Sequence, residues 1–368
     1  MKGKRLYFID TLRAFAILMM LQGHFIDALL LPSYKDVSYI SFQVWSYFRG
    51  ITAPTFFTIS GLIFTYLLLK AKQQGTIEKR MRKGLVRGAM LIGIGYALRI
   101  QIFDWLAGKF HDSIFIIDVL QCIGISLIAL IISYKLNFRK TCSFSISLLV
   151  LGSTIFITEP LYRELELPNV PIFFSNYVIK TNGSIFTLLP WLGYVFFGGF
   201  MATLFHRYGE QRGFKPAIIT TFFSVGLLLI LKSSWLFHTL YGLTDIPLLK
   251  DVAYFNYLFS RLGDVLVLFG VFYIAETYIK QQLILKIGQQ TLSIYVIHFI
   301  ILYGSFTGIG LQYHIGKNLM PWQAITGALL FIALVCFISF SYKRTNTIIF
   351  TKIRDTYTKV KSRRNRSE

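Results

Sequence analysis

The 368-residue chain predicts an all-α fold, a polytopic membrane protein of about ten transmembrane helices with both termini cytoplasmic. Three observations lead there. Hydrophobic residues make up 54% of the chain and charged ones 15%, whereas a soluble globular protein carries about 25% charged residues. Apolar runs long enough to cross a bilayer recur from end to end, and in lipid only helices or closed barrels satisfy their own backbone. The segments between them alternate between strongly and weakly cationic, as the positive-inside rule requires of an even number of spans.

Taken in order, the spans fall at about residues 7–31, 44–69, 85–106, 114–134, 144–158, 185–205, 217–231, 257–279, 288–306 and 322–342. The first is too long and too charged for a cleavable signal peptide, and no small-residue cleavage site follows it. The fifth and seventh are short and read as tilted, extended or partly re-entrant. Segments 159–184 and 232–256 contain Pro, Gly, Asn and aromatic residues and read as non-helical caps over the outer mouth. Residues 1–342 form one transmembrane domain, and 343–368 a basic cytoplasmic tail.

The cations support that topology. Lys2, Lys4, Arg5, the run from Lys70 to Arg87, Lys135, Arg139, Lys140, Arg207, Arg212, Lys215, Lys280, Lys286 and the tail fall inside. Only Lys35, Lys109, Arg163, Lys180, Lys232, Lys250 and Lys317 fall outside. The net charge of +21 is thus explained by topology and by anionic inner-leaflet lipid as a partner, without nucleic acid. Cys122, Cys142 and Cys336 lie in or beside spans with no clustered spacing, so neither a disulfide nor a metal site is expected.

The first span is the most informative. It carries Asp10, Arg13, His24 and Asp27 in an otherwise apolar run, and ionisable groups at bilayer depth are costly enough to suggest a site. At about 100° per residue, all four fall within an arc of roughly 100°, with Arg13 and His24 about 16 Å apart along the axis. One polar stripe therefore places a guanidinium near one membrane face and an imidazole toward the other.

Ile9-Asp10-Thr11-Leu12-Arg13, followed by His24, resembles the first helix of the integral-membrane acyltransferases, particularly the acyltransferase-3 group. Residues 49–61, RGITAPTFFTISG, are similar to the second helix of that superfamily, including its heparan-α-glucosaminide N-acetyltransferase-like branch. Asp118–Gly124, Pro190–Tyr194 and Leu292–His298 also resemble that branch. The chain departs from each pattern somewhere. Residues 31–47 contain no histidine where the heparan branch has its catalytic one, and Ala14 rather than glycine follows Arg13. Lys79/Arg82 and Arg80/Lys83 stand where acyltransferase-3 proteins often have two arginines three apart.

The resemblance implies an acyltransferase that takes an acyl group, expected to be acetyl, from cytoplasmic acetyl-CoA or another acyl-CoA to a hydroxyl or amine of a glycan or other envelope acceptor at the outer face of the plasma membrane. His24 would be the base, oriented by Asp27, or a transient acyl carrier. Arg13 would contact phosphate or the thioester carbonyl, since guanidinium suits that geometry. Lys79, Arg80, Arg82, Lys83 and Arg87 either cradle the phosphates of coenzyme A or simply mark an inner loop. Arg49, Asp118, Gln121 and His298 are candidates for the acceptor side, or interhelical hydrogen-bond partners. Asp10 with Arg13, and Arg261 with Asp264, are spaced as structural ion pairs. A proton-coupled transporter using the same buried groups is the rival reading, but the inverted repeats it would favour are not seen.

Overall fold

The computed structural model describes residues 7–137, 140–279 and 281–342. Among these residues the only β-type pairings are two isolated parallel bridges, Leu30 with Leu319 and Gln101 with Phe306. Lys2, Lys4, Arg5, Arg139, Lys280 and the tail 343–368 lie outside the described residues.

Helix α1 is Tyr7–Leu29, and the Phe8 amide at its start donates to Glu276. Helix α2, Ile40–Gln73, contains Pro54. The hydroxyls of Thr55, Thr58 and Ser60 donate to the carbonyls of Ile51, Pro54 and Phe56 one turn back, so they need no partner in lipid. Helix α3 is Ile77–Ala97. Helix α4, Val119–Leu136, starts with a reciprocal cap made by Asp118 and Gln121. Helix α5 is Thr141–Ile157, and α6 is Leu188–Tyr208 with a non-helical residue at Leu189. Helices α7 and α8, Phe214–Thr244 and Tyr257–Ala275, form an antiparallel pair. Helices α9 (Gln282–Gln289) and α10 (Thr291–Tyr303) are bent by 72° at Gln290, and α11 is Pro321–Tyr342.

Each predicted span has a helix, but not each helix is a plain span. Among the described residues, seven are long and apolar enough to cross a membrane, namely α1, α2, α4, α6, α7, α8 and α11, or eight if the bent pair is counted. The expected number of about ten is therefore not confirmed by length and hydropathy. Helix α3 spends its first half on charges, α5 has only 17 residues, and the ninth segment is broken. The seventh segment is the opposite of short, at 31 residues. The outer segments are not the non-helical caps expected, either. Short helices occupy Glu159–Tyr162 and Ile172–Ser175, α7 runs on to Thr244, and a further helix covers Pro247–Tyr254. Apolar-run length underestimates these helices because Lys232, His238 and Tyr241 interrupt hydropathy without interrupting helical backbone.

Helix pairs close over small residues, as is usual where lipid offers no hydrophobic drive between helices. Gly61 of α2 and Gly198 of α6 face each other's backbones so closely that added Cβ atoms would lie 2.0 Å from the Val195 oxygen and 1.9 Å from the Thr58 oxygen. Gly88 with Gly124, and Gly226 with Gly263, join α3 to α4 and α7 to α8 in the same way. Replacing Gly198 by Val is expected to cost at least about 3 kcal/mol, read as loss of a cooperative melt in detergent. Gly93→Ala, where nothing lies within 4 Å, should melt as the parent does.

Candidate active site

Helix α1 is the central strut, and its polar stripe is half-buried while the residues between are mostly buried. The stripe meets α10 at two points. Arg13 donates through Nη2 to the Thr291 hydroxyl at 2.8 Å. One turn below, Asp10 lies 3.9 Å from Arg13, the ion pair its spacing predicts. Farther along, His24 Nδ1 and His298 Nε2 are 3.2 Å apart. Thr291 and His298 are two turns apart and within about 20° of one another around α10. One face of α10 therefore matches one face of α1.

The histidine pair has a definite proton logic. In a neutral imidazole, one ring nitrogen donates and the other accepts. If His24 donates its Nδ1 proton to His298 Nε2, then His24 Nε2 is left with a free lone pair, and the remaining proton of His298 sits on its Nδ1. That tautomer makes His24 a base and His298 its orienting partner; the opposite one leaves His24 Nε2 protonated. His298 is fully buried, while His24 keeps partial exposure. The rings of Tyr303 and Tyr295 flank the pair, with centroids 6.0 Å from His24 and 5.0 Å from His298 respectively.

Asp27 does not take the orienting role expected of it. Its carboxylate accepts from Arg49 Nη2 at 2.7 Å and lies 3.7 Å from Lys35 Nζ, which donates to the Asp27 backbone carbonyl. The i,i+3 spacing does put Asp27 on the His24 face. Two cations arriving from α2 and the following loop compete for it with charge-assisted bonds, which a neutral imidazole cannot match. Partial burial holds the Lys35 ammonium below its ordinary pKa, against the opposing pull of Asp27. Arg49 also lies over the Trp45 ring at 5.4 Å.

At the other end, Arg13, Arg80 and Arg87 line a cavity of 310 Å³. Ser60, Gln289 and Thr291 add polar groups, and the remaining wall is largely apolar, reaching Tyr295. Arg80, half-buried, and Arg87, exposed, are seven residues apart and share one face of α3; Lys79, Arg82 and Lys83 are also exposed but do not line the cavity. Among the described residues, neither Arg80 nor Arg87 pairs with a carboxylate, and Arg80 Nε has no hydrogen-bond partner. Three guanidiniums with so little compensation suit a polyanion.

The other candidates are occupied structurally. Asp118 and Gln121 cap α4, and the Asp118 carboxylate receives Arg99 at 2.7 Å. Arg261 and Asp264 pair at 3.0 Å, and the Tyr47 hydroxyl donates to Asp264 at 2.6 Å. Arg99, Thr291 and Tyr303 are not singled out by the sequence, whereas Tyr295 falls within the Leu292–His298 motif. Arg99 carried a readable signal, a cation inside the predicted span 85–106 facing the Asp118 mouth. Thr291 and Tyr303 are ordinary membrane-helix residues that only tertiary proximity marks. Among the described residues, no three His, Cys, Asp or Glu side chains group so as to hold a metal ion.

The family model that matches is heparan-alpha-glucosaminide N-acetyltransferase, catalytic, over residues 5–241. That is well over half of the chain, and the chain belongs to this family, a family of transferases. The matched model is of the heparan-type branch, not of the acyltransferase-3 group. Helices α8 to α11, with His298, lie beyond the matched residues. No curated protein matches the chain.

The two ion pairs at this end of the bundle should respond differently to truncation. Asp118→Ala strands an Arg99 side chain that is 18% exposed, while Asp27→Ala removes a carboxylate that is 44% exposed. Thermal unfolding is expected to show a loss of about 3 kcal/mol for the first and about 1 kcal/mol or less for the second.

Proposed function

We propose that this family member is a membrane acetyltransferase that takes its acyl group from acyl-CoA bound in the arginine-lined cavity and delivers it at His24 to an amine or hydroxyl of a glycan-type acceptor. One observation carries the reading. The cavity that begins at Arg13, Arg80 and Arg87 reaches Tyr295, whose ring packs on His298, the partner of His24. A polyanion-binding end and a general-base end are thus joined along the facing surfaces of α1 and α10.

The chemistry divides among the side chains. Arg80 and Arg87 bind phosphate oxygens at the cytoplasmic mouth, where the positive-inside rule puts the start of α3. Arg13, held by Thr291, stands deeper on the same wall. The apolar wall from Phe56 and Ile59 to Leu120 and Ile123 suits the uncharged arm of the donor. His24 Nε2 takes the proton of the acceptor N–H or O–H as the new bond to the acyl carbon forms. The carbon–sulfur bond breaks, and the thiolate leaves. His298 holds the imidazole in the basic tautomer and supports its charged form. The same arrangement accommodates transfer by way of an acyl-His24 intermediate, with the same residues in place.

The test uses inside-out vesicles supplied with labelled acetyl-CoA. His24→Ala is expected to lower label transfer by about 10²–10⁴-fold at equal protein abundance. Full activity in that variant would overturn the proposal. Donor binding gives a separate expectation. Arg80→Ala and Arg87→Ala should each raise the KM for acetyl-CoA about tenfold or more with little change in kcat, whereas Lys79→Ala and Arg82→Ala should not.

A further inference from the structure

Helix α10 turns three polar side chains toward the same side. Thr291, Tyr295 and His298 are spaced i, i+4 and i+7, which sets them on one face of the helix. The outer two are engaged with α1, Thr291 by Arg13 and His298 by His24. The middle one is not. Tyr295 is 4% exposed and lines the arginine cavity, and among the described residues its hydroxyl makes no hydrogen bond. A buried tyrosine usually finds a partner for its O–H. An uncommitted one in the wall of a cavity is a donor left open for whatever fills that cavity.

The ring is held in place by its own helix. It packs edge-on against His298 at 5.0 Å and stacks on Phe299 at 5.5 Å, and Phe299 meets His298 at 5.3 Å. Three rings thus brace one another, and a donor fixed in this way needs no reorganisation to act. The charged donors at the His24 end are already committed. Arg49 donates to the Asp27 carboxylate, Lys35 to the Asp27 backbone carbonyl, and Arg99 to Asp118. A neutral phenol is also cheaper to bury than a further cation.

This position matches one step of the transfer chemistry. With the donor phosphates on Arg80 and Arg87, the thioester lies farther along the cavity, toward His24. Tyr295 belongs both to the cavity lining and to the ring cluster around the histidine pair. We propose that the Tyr295 hydroxyl binds the thioester carbonyl of the donor and stabilises the oxyanion that forms from it. As the acceptor nitrogen or oxygen bonds to the acyl carbon, the C=O π pair moves onto oxygen, where the Tyr295 O–H donates to it. The pair then returns, the carbon–sulfur bond breaks, and its electrons leave on the thiolate. The acceptor's proton is on His24, and Tyr295 keeps its own throughout. The assignment rests on the acyl-transfer reading and adds to it a group that touches the reacting atoms.

The test compares label transfer from acetyl-CoA in inside-out vesicles carrying the parent or Tyr295→Phe. The variant's kcat is expected to fall about 10²–10³-fold, the cost of removing one oxyanion donor. Its KM for acetyl-CoA, and its Kd for CoA, which lacks the acyl carbonyl, should stay within about threefold of the parent's. The substitution keeps the ring on His298 and removes an oxygen without a protein partner, so the two proteins should melt together. A second measurement needs only the parent. The infrared stretch of the isotope-labelled thioester carbonyl of bound acetyl-CoA should lie below its solution value. Parental kcat in Tyr295→Phe overturns the assignment, as does an unshifted carbonyl stretch in the parent. So does a loss of CoA affinity as large as the loss of rate, the result expected of a phenol that only packs the cavity wall. Absence of His24-dependent transfer in the parent overturns the acyl-transfer reading itself, and this assignment with it.

Discussion

Charged side chains inside a bilayer have to be paid for by partners, and in this protein the payment organises the bundle. Helix α1 brings Asp10, Arg13, His24 and Asp27 into the centre, where Asp10 pairs with Arg13 and the other three find matches on neighbouring elements. Thr291 and His298 of α10 receive Arg13 and His24, while Arg49 of α2 and Lys35 of the adjoining loop receive Asp27. Polar contacts of this kind hold helices in one register more firmly than lipid-like packing can. The close glycine crossings of α2 with α6, and of α3 with α4, then set the spacing of the walls around that core.

A division of labour follows along the strut. Near Arg13 the surroundings are cationic and concave, with Arg80 and Arg87 approaching from α3. Near His24 the cations are matched by carboxylates, Arg49 by Asp27 and Arg99 by Asp118. The first environment retains positive charge for a ligand to neutralise. The second is closer to electrically balanced, which suits a base that has to remain neutral until it acts.

Much of this was legible in the sequence, and the limits have physical causes. The helical class, the approximate positions of the helices and the stripe on α1 follow from hydropathy and a 3.6-residue period, because both are local properties. The number of full spans did not follow, since α3 and the α9–α10 pair are helices whose placement depends on neighbours rather than on their own hydropathy. Within the site, i,i+3 spacing suggested that Asp27 serves His24. Spacing along one helix cannot show that Arg49, 22 residues later, arrives with a stronger claim on the carboxylate. The basic run showed the same boundary. Helical period sets Arg82 opposite Arg80 and Arg87 but leaves Lys83 beside both, so which of these cations meets the cavity is a tertiary fact.

The 72° bend at Gln290 limits how much of a span this segment can supply. Helix α10 has 13 residues and is therefore only about 20 Å long, against a hydrocarbon layer of about 30 Å. With α9 turned aside, the lower part of the barrier is replaced by the arginine-lined hollow. On the proposed acyl transfer, a donor held by its charged end in that hollow would have only the Arg13–His24 stretch of α1, about 16 Å, to bridge.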